Sequence, residues 1–239
     1  MHLAMKIGIL KYPGGHGDSE LEQALRQYFR KEVVEVWYRK SIPADLDIIF
    51  LGGGFPCVGL DLDTDCLDQS EALRSLPAFA EKGKYVVGFG NGFRFLCDAG
   101  FLPGSLSKNA DGRFVCKKVF LKPENKSSAF TRRLDEDSLF NLPMATEYGR
   151  YLAGEDDLMK MRRDGRILFR FCDNGGRITE SVNYTGSMDN IAGICNPGKN
   201  VFGMIPQPER DVIAGGYKSD GSVLLEAFLS EIMDNNKSR

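Results

Sequence analysis

Short apolar runs alternate with amphipathic stretches along the first hundred residues of the chain. Strands are predicted near residues 5–10, 33–38, 47–51 and 84–89. Helices are predicted near residues 18–31, 67–82 and 92–99. Strands that alternate with helices indicate a parallel sheet with helices on both faces. The predicted fold class is therefore α/β, with a doubly wound, mostly parallel sheet of the flavodoxin-like kind.

The pattern changes in the second half, where strands follow one another without a helix between them. Additional, partly antiparallel strands are predicted near residues 113–122, 140–152 and 166–172. Two more strands are predicted near 191–195 and 201–205, and a closing amphipathic helix from Ser222 to Asn235. Since no repeat, linker or low-complexity segment interrupts this order, residues 1–239 are predicted to form one domain.

Composition and charge exclude several classes of function. Lys and Arg number 31 against 33 Asp and Glu, so the charge gives no reason to expect nucleic acid or a membrane as partner. No apolar run reaches the roughly 18 residues of a membrane span. The six cysteines show neither a pairing pattern nor a C-x-x-C motif, which favours a reducing, cytoplasmic location without metal or cofactor.

The most informative segment is the glycine-rich turn at residues 88–93, Gly-Phe-Gly-Asn-Gly-Phe, which directly follows an apolar run. A strand that enters a sharp turn and then a helix is the frame of a nucleophile elbow, which lifts its central side chain above the sheet. Here the central residue is Gly90, which has no side chain. An ordinary strand-to-helix connection is the alternative, whereas the phosphate-binding pattern G-x-G-x-x-G is not matched.

Several segments together resemble the class I glutamine amidotransferases, and among these the glutaminase subunits of phosphoribosylformylglycinamidine synthase, an enzyme of purine biosynthesis. The resemblance runs from Lys6 to the terminal helix near Ile232. Its most specific segment is residues 186–196, Gly-Ser-Met-Asp-Asn-Ile-Ala-Gly-Ile-Cys-Asn. The segments at 49–55 and 200–210 support it. The resemblance implies the fold of that family and a large synthase subunit as partner.

The same resemblance identifies what is missing. The family's nucleophilic cysteine falls on Gly90, its histidine base on Gln207, and its orienting carboxylate on Glu209. Only the carboxylate is kept. The chain has two histidines, His2 and His16, and both precede the turn. Glutamine hydrolysis needs a thiolate and a base that later protonates the leaving ammonia. The sequence therefore predicts that glutaminase activity has been lost, with no functional catalytic residue.

Other parts of the family's site are predicted to persist. The resemblance places the oxyanion-hole N–H groups on Gly53, Gly54 and Asn91, and a concave pocket at the carboxyl ends of the strands. Further wall residues of this pocket are predicted to be Phe55, Cys57 and Thr146. Without a histidine to orient, the Glu209 carboxylate is expected to accept a hydrogen bond from the Gln207 amide or a backbone N–H.

The region that would hold glutamine also departs from the family. The family has an arginine- and glycine-bearing segment where residues 56–68 carry four Asp and no Arg. Residues 146–149, Thr-Glu-Tyr-Gly, replace the family's His-Gly-Glu-Gly. An exposed acidic loop is the simpler interpretation of residues 56–68, because a calcium-binding loop would need its Gly and terminal Glu at other positions. Either kind of loop would change the charge of the pocket. Two cysteines near it, Cys57 and Cys97, have no histidine partner in the sequence and are interpreted as core or surface residues.

Three functions follow from the sequence. The first is a non-catalytic subunit that docks on the large synthase subunit while ammonia comes from elsewhere. The alternative is a repurposed binding or regulatory protein that holds a small molecule in the former glutamine pocket. The third is an active glutaminase with a substitute nucleophile, for which Cys57 and Cys97 are the candidates.

Overall fold

The computed structural model describes residues 5–54, 70–135, 137–212 and 218–237. Within them one mixed sheet has the strand order β2-β1-β3-β4-β11-β10-β9-β6-β7. Its strands are β1 (Ile7–Lys11), β2 (Val33–Trp37), β3 (Ile48–Leu51), β4 (Tyr85–Phe89), β6 (Val115–Pro123), β7 (Phe140–Thr146), β9 (Ile167–Cys172), β10 (Ile191–Cys195) and β11 (Val201–Met204). A mixed sheet flanked by helices confirms the predicted α/β class.

The first half of the sheet is parallel. Strands β1, β2, β3, β4 and β11 pair in parallel, and every residue of β3, β4 and β11 is buried. Leu51 is in register with Gly88, and Phe89 with Met204. Because parallel strands end at the same edge of a sheet, the segments after Leu51, Phe89 and Met204 emerge side by side.

The second half is antiparallel, and partly antiparallel strands were predicted near 113–122, 140–152 and 166–172. Strand β10 pairs antiparallel with both β11 and β9, and β6 pairs antiparallel with both β9 and β7. The predicted strand at 140–152 is interrupted. Its first part is β7, whereas β8 (Arg150–Leu152) leaves the large sheet and pairs with β5 (Ser105–Ser107) in a separate two-stranded sheet.

The α-helices of the described residues are α1 (Gly17–Gln23), α2 (Glu71–Glu81), α3 (Asn91–Asp98), α4 (Glu155–Arg163) and α5 (Asp220–Lys237). The helix predicted at 18–31 is shorter, since a π-helical turn at Ala24–Tyr28 ends it. Helix α4 was not predicted. Its signals were charges, with three acidic residues in its first turn and three basic residues in its last. None of the described helices is long and apolar enough to cross a membrane.

Helix α3 packs directly on β3, β4 and β11, and glycine makes this close approach feasible. A Cβ atom at Gly92 would overlap the backbone carbonyl of Leu51. A Cβ at Gly88 would lie 2.6 Å from the Gly92 carbonyl oxygen. Phe93 fills the space over Gly203, where a Cβ would collide with its ring. The beginning of α3 is thereby held at the edge where the central strands end.

Candidate functional site

The turn between β4 and α3 has a backbone that favours glycine. Gly90 has φ +55° and ψ −115°, and it precedes the first helical residue, Asn91. The Gly90 N–H donates to the Met204 carbonyl over 2.9 Å, so the turn is anchored on β11. This positive φ costs about 1–3 kcal/mol for most residues but little for glycine. The sharp strand–turn–helix geometry is therefore present, with no side chain at its centre.

A second glycine segment, residues 52–54, lies beside this turn. The Tyr12 hydroxyl donates to the Gly52 carbonyl over 2.6 Å, and the Gly17 N–H donates to the Gly53 carbonyl over 2.9 Å. The Asn91 side-chain amide donates to the Gly54 carbonyl. These bonds join the loops after β1, β3 and β4, and they place Gly53, Gly54 and Asn91 around one cavity.

The side chain of Gln207 reaches this cavity from the segment after β11. Its backbone N–H donates to the Pro143 carbonyl over 2.8 Å, and its side chain is 5% exposed. The Oε1 atom accepts from Arg210 Nη1 over 3.2 Å, and Nε2 donates to the Ala145 carbonyl over 3.4 Å. The Nε2 atom lies 2.9 Å from the Cβ position of Gly90 and 2.8 Å from that of Gly53. The amide thus occupies the space directly above both glycines.

Glu209 is buried next to Gly17. The residue is 3% exposed, and neither carboxylate oxygen has a hydrogen-bond partner among the described residues. Its Oε1 lies 3.1 Å from the Cβ position of Gly17. Burial raises the pKa of Glu209 to about 8, and the charge of Glu20 acts in the same direction. The prediction that Glu209 accepts a hydrogen bond from the Gln207 amide is wrong. That amide bonds to Arg210 and Ala145 instead.

The cavity has a volume of about 420 Å³. It is lined by His16, Gly17, Glu20, Gly53, Gly54, Asn91, Arg94, Phe114, Cys116, Ala145, Thr146, Glu147, Tyr148, Gln207 and Arg210. Thr146, named from the sequence, is among them. Gly90 and Glu209 are not among its lining residues. The predicted pocket residues Phe55 and Cys57, and the acidic segment 56–68, fall outside the described residues.

Sequence reasoning missed most of the charged wall. The Arg94 guanidinium lies 4.1 Å from the centre of the Tyr148 ring, and Arg94 Nε is 3.4 Å from Asp98. Arg210 pairs with Glu20 over 2.9 Å. A signal for Arg94 existed, since it follows Gly90 by one helical turn and lies on the same face of α3. The sequence also held a signal for His16, because this residue follows the end of β1 at the edge of the sheet where binding residues collect.

The described cysteines differ in their access to the cavity. Cys97 is buried away from the cavity wall, and burial raises the pKa of its thiol. Burial likewise raises the pKa of Cys172 to about 11 and that of Cys195 to about 12. Cys116 is exposed and lines the cavity. Because a thiol with a raised pKa is a poor nucleophile at neutral pH, Cys97 is a poor substitute for a cysteine at position 90.

Comparison with known proteins agrees with this geometry. Residues 4–218 match the model of the CobB/CobQ-like glutamine amidotransferase domain, and the chain belongs to that family. It is 39% identical to phosphoribosylformylglycinamidine synthase subunit PurQ of Aquifex aeolicus, over 95% of this chain and 100% of the relative. It is 35% identical to PurQ of Acaryochloris marina, over 96% of this chain and 97% of the relative. The predicted resemblance to the synthase glutaminase subunits is thereby confirmed.

A solved structure is similar over the same extent. A chain in the structure of PurLQS from Thermotoga maritima superimposes with a TM-score of 0.78 at 28% identity, covering 95% of this chain and 99% of that chain. The fold is thus that of the class I glutamine amidotransferases.

The position above the turn is taken by an amide side chain. An amide nitrogen occupies the place above the turn where a nucleophile would project. A neutral amide neither attacks a carbonyl nor accepts a proton near pH 7. The cavity wall carries side chains of both charges, with Glu20 and Glu147 beside Arg94 and Arg210.

Proposed function

We propose that this chain is a cytoplasmic, non-catalytic subunit related to PurQ, which docks on a large synthase subunit without releasing ammonia from glutamine. One observation carries the proposal: Gly90 has no side chain, and the Gln207 amide fills the space above it. Amide hydrolysis by this class of mechanism requires a thiolate and a base within hydrogen-bond reach. Removing such a catalytic unit leaves only the contributions of binding and the oxyanion hole.

The relatives support the docking part of the proposal. The PurQ proteins of Aquifex aeolicus and Acaryochloris marina are named as subunits of a synthase. The similar solved chain belongs to a structure described as PurLQS. This chain covers 100%, 97% and 99% of their respective lengths.

Residues 186–196, the most specific segment of the family resemblance, give no evidence for docking. Asn190 Nδ2 donates to the Thr179 carbonyl over 2.7 Å, and Asp189 pairs with Arg170 over 2.7 Å. The Ser187 hydroxyl donates to the Ile191 carbonyl over 2.5 Å. Each of these side chains finds its partner within the chain, which is the behaviour of a structural turn.

Two measurements on the purified protein test the proposal. We expect no glutamate release from glutamine above background. We also expect the protein to form a complex with the large synthase subunit of its own genome, which then makes product from ammonium salts but not from glutamine. Product formation that depends on glutamine would contradict the loss of activity, and failure to form a complex would contradict the subunit role.

A second candidate function is a repurposed binding protein. The observation that favours it is the cavity of about 420 Å³, which persists with charged walls although no thiol projects above its turn. An active glutaminase with a substitute nucleophile ranks third. Glutamate release that is abolished by replacing one cysteine with alanine would establish the third function and identify its nucleophile.

A further inference from the structure

The end of the sheet opposite the glycine turn carries a second cavity, with a volume of about 700 Å³. Tyr85 and Val201, the first residues of β4 and β11, line it together with residues that follow α3. The connection between β10 and β11, residues 196–200, forms one of its walls. This cavity shares no lining residue with the one at the carboxyl ends of the strands.

The connection at 196–200 is firmly anchored and carries a lysine in an unfavourable backbone conformation. The Asn196 side-chain oxygen accepts from the Asn200 N–H over 3.0 Å, and Asn200 Nδ2 donates to the Ala80 carbonyl over 2.8 Å. Lys199 has φ +55°, a region that costs free energy for a lysine. Its half-buried side chain forms no ion pair within the described residues. The fold thus holds a lysine, rather than a glycine, at the wall of the cavity.

A buried arginine lies at the same end of the sheet. Arg166 directly precedes β9, and its carbonyl accepts from the Cys195 N–H over 2.9 Å, next to the connection that carries Lys199. The residue is 6% exposed, and its Nε has no hydrogen-bond partner among the described residues. Asp164 Oδ2 lies 3.8 Å from this Nε, which is too far for a hydrogen bond. Because a buried charged donor without an acceptor is unfavourable, a ligand that accepts from Arg166 would be stabilised there.

The charges of Arg166 and Lys199 act on the same two groups. Arg163, which hydrogen-bonds to Asp164, holds the pKa of that carboxyl below its ordinary value, and Arg166 and Lys199 act in the same direction. Burial raises the pKa of Cys195 to about 12, whereas Lys199 and Arg166 oppose that rise. Both cations therefore lie close to the end of β10.

We infer that Arg166 and Lys199 bind the phosphate group of a small molecule at this end of the sheet. The planar guanidinium offers N–H groups to two phosphate oxygens at once, and the ammonium is a compact charge for a third. A phosphate carries more charge and more acceptor oxygens than a carboxylate, so it matches two separate cations better. The cavity beside Lys199 has room for the rest of the molecule. The exposed Glu81 carboxylate on its wall favours hydroxyl or amino groups in that part.

The two cavities have different walls, so this phosphate site stands or falls independently of the proposed function. Inorganic phosphate is the probe, titrated into the full chain and followed by calorimetry, with sodium chloride of equal ionic strength as the reference. We expect saturable binding with a Kd on the order of 1 mM or tighter. Absence of saturable binding, or an equal response to chloride, would overturn the site. Acetate that binds as tightly as phosphate would overturn its assignment to phosphate.

A matched pair of variants locates the site. Lys199→Gly removes the ammonium and suits the φ of +55°, so this variant should fold at least as well as the unaltered chain. Its Kd for phosphate should rise by about tenfold. Lys40→Gly makes the same change at an exposed residue after β2, at the other end of the sheet, and should leave the Kd unchanged. Equal Kd values in the two variants would overturn the site.

The guanidinium is tested by Arg166→Met, which keeps a long side chain and removes every donor. Phosphate binding should fall by at least about tenfold in this variant, since charge-assisted hydrogen bonds are the strong ones. Unchanged binding would overturn the role of Arg166. If Arg166→Met does not fold, the comparison of Lys199→Gly with Lys40→Gly still decides whether the site exists.

Discussion

The amide nitrogen of Gln207 lies 2.9 Å from the position that a Cβ atom would take at Gly90. Real Cβ atoms essentially never approach a neighbour below 3.0 Å, so any side chain at position 90 requires Gln207 to move. The two departures from the family are therefore physically linked. Glycine at the turn makes room for the amide, and the amide fills the volume that the missing side chain leaves.

This contact predicts that substitutions at the two positions are not additive. Gly90→Ala should destabilise the protein by about 1–3 kcal/mol, since alanine is strained at φ +55° and also meets Gln207. In a Gln207→Ala background the same change should cost less, by about 0.5–1 kcal/mol. Urea unfolding of the two single variants and the double variant measures this difference. Full additivity would mean that the contact has no energetic effect.

Rebuilding two members of the family's catalytic unit should restore little activity. Gly90→Cys combined with Gln207→His places a thiol and an imidazole near Glu209, but the sequence predicts that the acidic segment at 56–68 no longer suits glutamine. We expect weak glutamate release and little covalent intermediate, because positioning of the substrate is lost. Mass spectrometry and a glutamate assay measure both. Rapid turnover would show that the pocket still suits glutamine.

Burial of Glu209 predicts a pH dependence of stability. Its pKa is raised from 4.5 to about 8 in the folded protein, so the folded state retains a proton that the unfolded state has lost. The associated stability is complete below pH 4.5 and is lost as the pH rises through about 8. Glu209→Gln should therefore stabilise the protein at pH 8 by on the order of 2–4 kcal/mol and flatten the profile. Glu226→Gln, at an exposed position, is the control in the same unfolding series. A profile unchanged by Glu209→Gln would contradict the raised pKa.

The close packing of α3 on β3 predicts a large effect from a single methyl group. Gly92→Ala would drive a Cβ atom into the Leu51 carbonyl, which is backbone and cannot rotate away. We expect a loss of about 3 kcal/mol or more, at the upper end of overpacking effects. Gly154→Ala has nothing within 4 Å and should change stability by less than about 0.5 kcal/mol. Chemical denaturation distinguishes the two variants, and similar losses would argue against the tight contact.

The described cysteines should differ widely in reactivity. Cys116 is exposed, whereas burial raises the pKa of Cys97 and shields its sulfur. We expect iodoacetamide at neutral pH to label Cys116 at least about tenfold faster than Cys97, since the thiolate is the reactive form. Peptide mapping after timed alkylation measures the two rates. Fast labelling of Cys97 would return it to consideration as a substitute nucleophile.

The alternation of apolar and amphipathic segments was enough to predict the α/β class and the parallel half of the sheet, because that periodicity follows from local geometry. Helix α4 and the small β5–β8 sheet were missed. In α4 only Leu158 and Met161 are buried, so its hydrophobic pattern was too weak, and its terminal charges were the remaining signal. The pairing of β8 with β5 joins segments more than forty residues apart, and no local pattern carries that contact.

The sequence by itself determined that no cysteine stands at the turn and no histidine follows it, since the presence of a nucleophile and a base is a matter of residue identity. It also determined the sharp turn, because the flanking glycines favour it. Only the tertiary structure decided what replaces the lost chemistry. His16 and Cys116 share a cavity wall, and Gln207 bonds to Arg210 and Ala145. The Glu209 carboxylate has no hydrogen-bond partner within the described parts of the chain. Hydrogen bonding and burial depend on which distant segments meet, and that is settled by the packing of the whole chain.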